Sequence, residues 1–393
     1  MMSTTTLTDQ PTPPHQEFVA RARELASGFA ERAADAERLR RLPEESVAEM
    51  VQAGFPRILA PREYGGYELG AVTWFEVVRE IARADASHGW CASLMIHHAH
   101  YVSLFPAEAR QAVWENGPDT VVAASIIPSS TVTAVDGGYR ISGRAGFTSG
   151  ITGSSWVIVG GLLHSGGAPP EWMWFLIAPD QYVVEDTWFT SGMCGTGSNT
   201  VVTDDVFVPR SRAVAQDAVR EATAPGSSQH HGAFYRAPWS MYAPLTFAAP
   251  MLGAAQGAYR RFVESTTGRR VETGQSIGDL DHVQVKVGRV GAVLDCADSL
   301  LARAAATIDS GQTDNALRAR AVRDYSFAAE LCIQAIDQTV ALNGSAGFAE
   351  SNPAQRAWRD VHFASAHRAL IPELNYAYYG QRELRVEPDR LPY

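Results

Sequence analysis

Cysteine is scarce in this chain of 393 residues. There are four, Cys91, Cys194, Cys296 and Cys332, far apart and with no Cys-x-x-Cys pair. That spacing argues against a disulfide framework and a zinc site, and points to a reducing compartment. A basic tract is also missing: 33 Lys and Arg face 43 Asp and Glu, for a net charge of −10, so nucleic-acid binding is not expected. No apolar run is long enough to span a bilayer. Met1–Pro14 lacks the apolar core of a signal peptide and reads as a disordered arm, so a cytoplasmic protein without a membrane partner is expected. No Gly-x-Gly-x-x-Gly stands between a strand and a helix, which removes the dinucleotide-fold reading. Metal ligation is not expected either. His97, His98 and His100 form the densest histidine cluster, but neighbouring residues on a helix face different ways, and no carboxylate follows at helical spacing.

What is present falls into three blocks, and the length asks for two or three domains. From 15 to 118 the pattern is helical. Phe18, Ala22, Leu25, Ala26 and Phe29 recur at three- and four-residue steps. Leu42-Pro43-Glu44-Glu45 opens a second helix, with proline near its start and carboxylates where the dipole favours them. Two more helices follow over about 72–83 and 87–104, and Phe105-Pro106 ends the last. From 119 to 212 the runs are short and rich in β-branched and aromatic residues, with a hairpin signal at Asp136-Gly137-Gly138. They suggest a small antiparallel barrel or sandwich. A polar connection over 213–240 reads as a loop or short helix. From 241 to 393 the helical period returns in long runs with short joints, as in an antiparallel bundle. The fold class is thus α+β, mostly α.

Two places carry candidate chemistry. Gly146-Phe147-Thr148-Ser149-Gly150 and its echo Gly192-Met193-Cys194-Gly195-Thr196-Gly197-Ser198 offer backbone and hydroxyl donors with glycines that let a ligand approach. Taken alone, each reads equally as an ordinary turn or β connection. The run Arg359 to His367 reads as a late helix carrying two histidines, which would lie on neighbouring faces.

Four stretches in this order resemble the acyl-CoA dehydrogenase fold: Leu42-Pro43 through Glu63-Tyr64-Gly65-Gly66, Asp136-Gly137 through Gly150, Gly195 through Pro209, and Trp358-Arg359-Asp360 through His367. Within that fold the chain is similar to the flavin-dependent monooxygenases, the oxygenase components of two-component aromatic hydroxylases such as the p-hydroxyphenylacetate and secosteroid phenol hydroxylases. In many of the dehydrogenases a Glu follows the Arg-Asp pair by nine residues and serves as base; here that position is Arg368, which stays protonated, with His367 beside it.

The resemblance implies reduced FMN or FAD supplied by a separate reductase, O2, a C4a-hydroperoxyflavin, and hydroxylation of a phenol- or indole-like substrate. It implies His367 as base, Ser149 at the flavin N5 edge and His98 at the substrate pocket. Phe147, Thr148, Ser149, Thr196 and Ser198 would hold the flavin, with Arg269 or Arg270 at its phosphate, although the family's Arg-x-Gln-Phe-Gly is not intact. The Arg359-Asp360 pair would anchor a helix as an ion pair, and the assembly would be a homotetramer. N- or S-oxygenation, an acyl-CoA dehydrogenase with its base on another helix, and a flavin-binding scaffold remain alternatives.

Overall fold

The computed structural model describes residues 14–270 and 274–386. The expected arm, apart from Pro14, and part of the run after Arg270 lie outside the described residues. The N-terminal block holds α1 (His15–Leu39), α2 (Glu44–Gln52), α3 (Ala71–Ala84), α4 (Ala86–Ser103) and α5 (Ala107–Val113). Pro43 stands as N-cap of α2 with Glu44 and Glu45 in its first turn, as the sequence suggested. Helix α4 is buried on every side, because it runs through the centre of the molecule. Asp85 caps it by accepting from His88 N at 3.1 Å.

The middle block is one seven-stranded sheet. Its strands are β1 (Val122–Val135), β2 (Gly138–Thr148), β3 (Trp156–Leu163), β4 (Glu171–Ile177), β5 (Val183–Glu185), β6 (Asn199–Pro209) and β7 (Ala213–Ala215). Their order is β5-β6-β2-β1-β3-β4-β7. All pairs are antiparallel except β1 with β3, so neither a barrel nor a sandwich is needed to describe it. Alternation divides the two faces. Ile158, Trp174 and Leu176 join the large helical core, while Val157, Val159, Phe175 and Ile177 fill a second, smaller core on the far face.

The polar connection supplies more structure than its composition suggests: edge strand β7, then α6 (Gln216–Arg220) and α7 (Trp239–Tyr242). The C-terminal bundle is α8 (Leu245–Thr266), α9 (Asp281–Asp309), α10 (Asn315–Leu342), α11 (Pro353–Ser365) and α12 (Pro372–Glu383). One expectation fails here. The late helix stops at Ser365, so His367 lies in the turn beyond it and the helical-face argument does not apply to that residue. Ile371 is extended, as the residue before Pro372 must be, and the 366–371 connection uses the freedom to turn.

Candidate active site

The site forms where the end of β2, the 190–198 loop, α4, α8 and the turn after α11 meet. Between Ala145 and Thr148 the β2–β6 register slips by one residue, a bulge that re-aims the end of the strand. Phe147 takes the extra position with φ of 58°. A bulky residue in the left-handed region is strained, and such strain persists only where the surroundings impose it. Its ring is 71% exposed, at the rim of a cavity of about 500 Å³.

Thr148 faces inward and donates to Ala145 O at 2.9 Å, which closes the bulge; it does not line the cavity. Ser149 does. Its Oγ lies 2.6 Å from Ser198 Oγ, which lies 2.7 Å from Thr196 Oγ1. The proton order in this chain follows from its ends. Trp90 Nε1 donates to Ser149 at 3.2 Å, and Thr196 donates to the Met193 carbonyl at 2.8 Å. With those protons committed, Ser198 donates to Thr196 and Ser149 donates to Ser198. Ser149 therefore turns a lone pair, not a proton, to anything that approaches it.

The two glycine-rich stretches are joined directly, since Gly150 N donates to Thr196 O at 2.8 Å. The glycines of the second stretch serve packing on helices. A Cβ on Gly192 would stand 2.5 Å from Arg359 O, and one on Gly195 would stand 2.9 Å from Ser87 Cβ. Arg359 and Asp360 also serve this loop and do not pair with each other, because adjacent helical residues point apart. Arg359 donates to Ser191 O at 2.5 Å and to Glu37 at 2.6 Å, while buried Asp360 accepts from Met193 N at 2.5 Å. Burial, with Asp85 nearby, pushes the Asp360 carboxyl up to about 7.

Three histidines line the cavity, His97, His98 and His367, and the last two have opposite hydrogen bonding. His98 Nδ1 meets the Val122 carbonyl at 2.8 Å, so it carries the proton and leaves Nε2 as an acceptor. His367 Nδ1 accepts from Ala369 N at 3.2 Å, so the proton of its neutral ring sits on Nε2. Burial lowers both to about 4 and keeps both neutral. His367 belongs to the Ser149 end, because its ring stands 6.1 Å from that of Trp90. His98 lies two helical turns further along α4.

His97 lines the cavity as well, with Nδ1 2.9 Å from Thr246 Oγ1; His100 is packed into the interior among aromatic rings, and His362 binds Asp337 at 2.8 Å on the outside of α11. Arg269 and Arg270 are exposed after α8 and do not line the cavity. Trp90, Trp188, Phe247 and Tyr101 complete the wall, and sequence reasoning did not single them out. One signal was available: Trp90, Leu94, His98 and Tyr101 recur at helical spacing on one face of α4. Among the described residues no aspartate or glutamate lines the cavity.

Comparison with known proteins agrees with this geometry. Residues 12–114 match the N-terminal domain of acyl-CoA dehydrogenase, and residues 245–372 match its C-terminal domain. The oxygenase subunit HsaA of a flavin-dependent monooxygenase from Rhodococcus jostii is 36% identical over 367 residues, which is 91% of this chain and 96% of that one. The chain belongs to the flavin-dependent monooxygenase oxygenase components. The oxygenase component of the FADH2-dependent resorcinol hydroxylase from a Rhizobium species is 31% identical over 395 residues, 96% of each chain. The crystal structure of the 3-HSA hydroxylase from Rhodococcus sp. RHA1 superposes with a TM-score of 0.90 at 34% identity, covering 96% of this chain and all of that one.

Enzymes of this family work with reduced flavin. The residues here fit such a ring. Phe147 and Trp188 meet edge to face at 5.8 Å and leave Phe147 open to be covered by a flat group. Ser149, Ser198 and Thr196 line the same cavity with hydroxyls. The lone pair on Ser149 suits the N–H that a reduced flavin carries and an oxidised flavin lacks.

Proposed function

We propose that this monooxygenase accepts reduced FMN or FAD from a separate flavin reductase and hydroxylates a phenol- or indole-like ring with O2. The observation that carries the reading is the cavity itself: an aromatic-walled space lined by His97, by His98 with a free acceptor and by His367 with a free donor, and by no carboxylate among the described residues. A dehydrogenase of this fold needs a carboxylate base, and its absence from the lining favours oxygenation.

Bound reduced flavin would supply the oxygen activation. Ser149 would accept the hydrogen bond from its N–H, with Ser198, Thr196 and Trp90 holding the serine in that orientation. Phe147 and Trp188 would cover the ring edge and exclude water. His98 Nε2 is suited to receive the proton of a substrate hydroxyl, which raises the nucleophilicity of the ring. A negative charge developing beside it lifts its lowered proton affinity towards the working range. His367 was expected as the base. Its Nε2–H is better suited to donate, at the Ser149 end, to the oxygen atom that leaves as water.

Arg269 and Arg270, exposed and outside this chain's own cavity, would meet a flavin phosphate bound by a neighbouring subunit of a homotetramer, Arg270 while donating to Gly274 O at 2.7 Å. The reaction is assigned to the cytoplasm. The test is the purified protein with chemically reduced flavin, O2 and a panel of phenols, indoles, amines, sulfides and acyl thioesters. Hydroxylated phenol or indole is the expected product. Turnover of amines or sulfides alone, or bleaching of bound oxidised flavin by an acyl thioester, would overturn the reading.

A further inference from the structure

Among the described residues that line the large cavity, Arg368 is the one side chain with a fixed charge. It sits at the rim. The other lining residues exposed to solvent are Ile127, Phe147 and Ala366, all apolar. The turn that carries Arg368 is held in place from several sides. Leu370 N donates to His367 O at 2.9 Å, Ser326 Oγ donates to Leu370 O at 3.1 Å, and Asn375 Nδ2 donates to Ala369 O at 3.0 Å. The base of this arginine is therefore fixed beside His367.

Its guanidinium is uncommitted. Two other arginines of the same stretch, Arg356 and Arg359, both pair with Glu37. Arg368 has no hydrogen-bond or ion-pair partner among the described residues, and no carboxylate in the cavity lining competes for it. A guanidinium offers five N–H donors and no acceptor, in a fork that fits a carboxylate with two parallel bonds. The whole chain carries a net charge of −10, which repels an anion at a distance. A single cation on an apolar rim gives such an anion one place to settle.

The anion could belong to the substrate or to the flavin. Geometry favours the substrate. His367 stands at the Ser149 end, with its ring 6.1 Å from that of Trp90. The ribityl chain of a flavin leaves the ring on the edge opposite the N–H that Ser149 is placed to accept from, so a flavin phosphate is carried away from this end.

We propose that Arg368 selects aromatic substrates that carry a carboxylate. The ring lies inside the cavity, and the carboxylate stays at the rim on the guanidinium. The inference deepens the monooxygenase reading and rests on it.

The test compares p-hydroxyphenylpropionate with its methyl ester, in the wild type and in Arg368→Gln, with reduced flavin and O2. Arg368 is exposed, so the variant should fold, and turnover of the ester is the control for that. The acid-to-ester ratio of kcat/KM should fall about tenfold in the variant, which is about 1.4 kcal/mol. The loss should lie in KM for the acid, with kcat unchanged for both compounds. Arg368→Lys should keep part of the ratio, since it retains the charge and loses the fork. The wild-type ratio should shrink as NaCl is raised, because an exposed pair is screened.

A ratio that Arg368→Gln leaves unchanged overturns the proposal. So does a weaker affinity for reduced FMN relative to reduced riboflavin with the acid-to-ester ratio unmoved, which would give Arg368 to the flavin phosphate. Failure of the hydroxylase reading looks different. If equilibrium dialysis shows the variant losing affinity for the acid and not for the ester, while neither is hydroxylated, the anion site stands and the reaction does not. If both are hydroxylated at the same ratio in both proteins, the reaction stands and the anion site does not.

Discussion

The ring of His367 lies on that of Phe247, centroids 3.5 Å apart and 26° from parallel, while its Nδ1 accepts from Ala369 N. Stacking fixes the ring plane, and the backbone bond fixes the tautomer. Together they set what the residue can offer. A His98 variant and a His367 variant should then differ in kind. His98→Ala should cut hydroxylation of a phenol by roughly 10²–10⁴, the usual worth of a general base, with oxygen consumption preserved. His367→Gln, which keeps an N–H donor, should retain far more product than His367→Ala. Product and peroxide measured together over a phenol series check both.

The hydroxyl chain predicts a preference that can be reversed. Ser198→Ala removes the acceptor of Ser149's proton and frees Ser149 to donate. Affinity for oxidised flavin should then rise relative to reduced flavin, by about one hydrogen bond, or roughly 0.5–1.5 kcal/mol. Titration with each redox form, under anaerobic conditions for the reduced one, measures the ratio.

Asp360 holds the 190–198 loop through a single bond to Met193 N. Asp360→Ala leaves a buried N–H without its acceptor and should cost about 1–3 kcal/mol in stability, with weaker flavin binding. Asp360→Asn keeps a carbonyl oxygen at that place and resembles the protonated carboxyl, so it should fall close to wild type. Thermal melts and flavin titrations of the two variants decide it.

Acid should destabilise the protein through its interior histidines. Burial lowers His98 and His367 to about 4 and His100 to about 3, and holds His97 well below its ordinary value. Between pH 6.5 and 5 these four take up protons in the unfolded chain and not in the folded one. Stability therefore falls as pH falls through that window. Asp360, raised to about 7, acts in the opposite sense, because there the folded state holds the extra proton. The net grows from about one proton at pH 6.5 to nearly three at pH 5, each worth about 1.4 kcal/mol per pH unit. Denaturant midpoints across this range, compared with His100→Phe, measure the slope.

Much was legible in the sequence because it was local. Three- and four-residue periodicity marked α1, α3 and α4, Pro43 and its carboxylates opened α2, and β-branched runs marked most strands. Those signals depend on neighbours a few residues away. The order of the blocks and the motifs within them also placed the chain in its family. Edge strands β5 and β7 were missed, since three residues paired on one side carry almost no pattern of their own.

The sequence by itself determined that a helical block, a strand block and a helical bundle would follow one another, and that hydroxyls and histidines would stand at Ser149, Thr196, Ser198, His98 and His367. Tertiary structure alone decided what those groups do. Ser149 and Ser198 are 49 residues apart and become a 2.6 Å pair only because β2 and β6 are neighbours. His98 and His367 have the same chemistry on paper. They differ because one ring meets a carbonyl from β1 and the other a backbone N–H in its own turn. A proton's position depends on the partner that folding supplies, and that partner cannot be read from the residue.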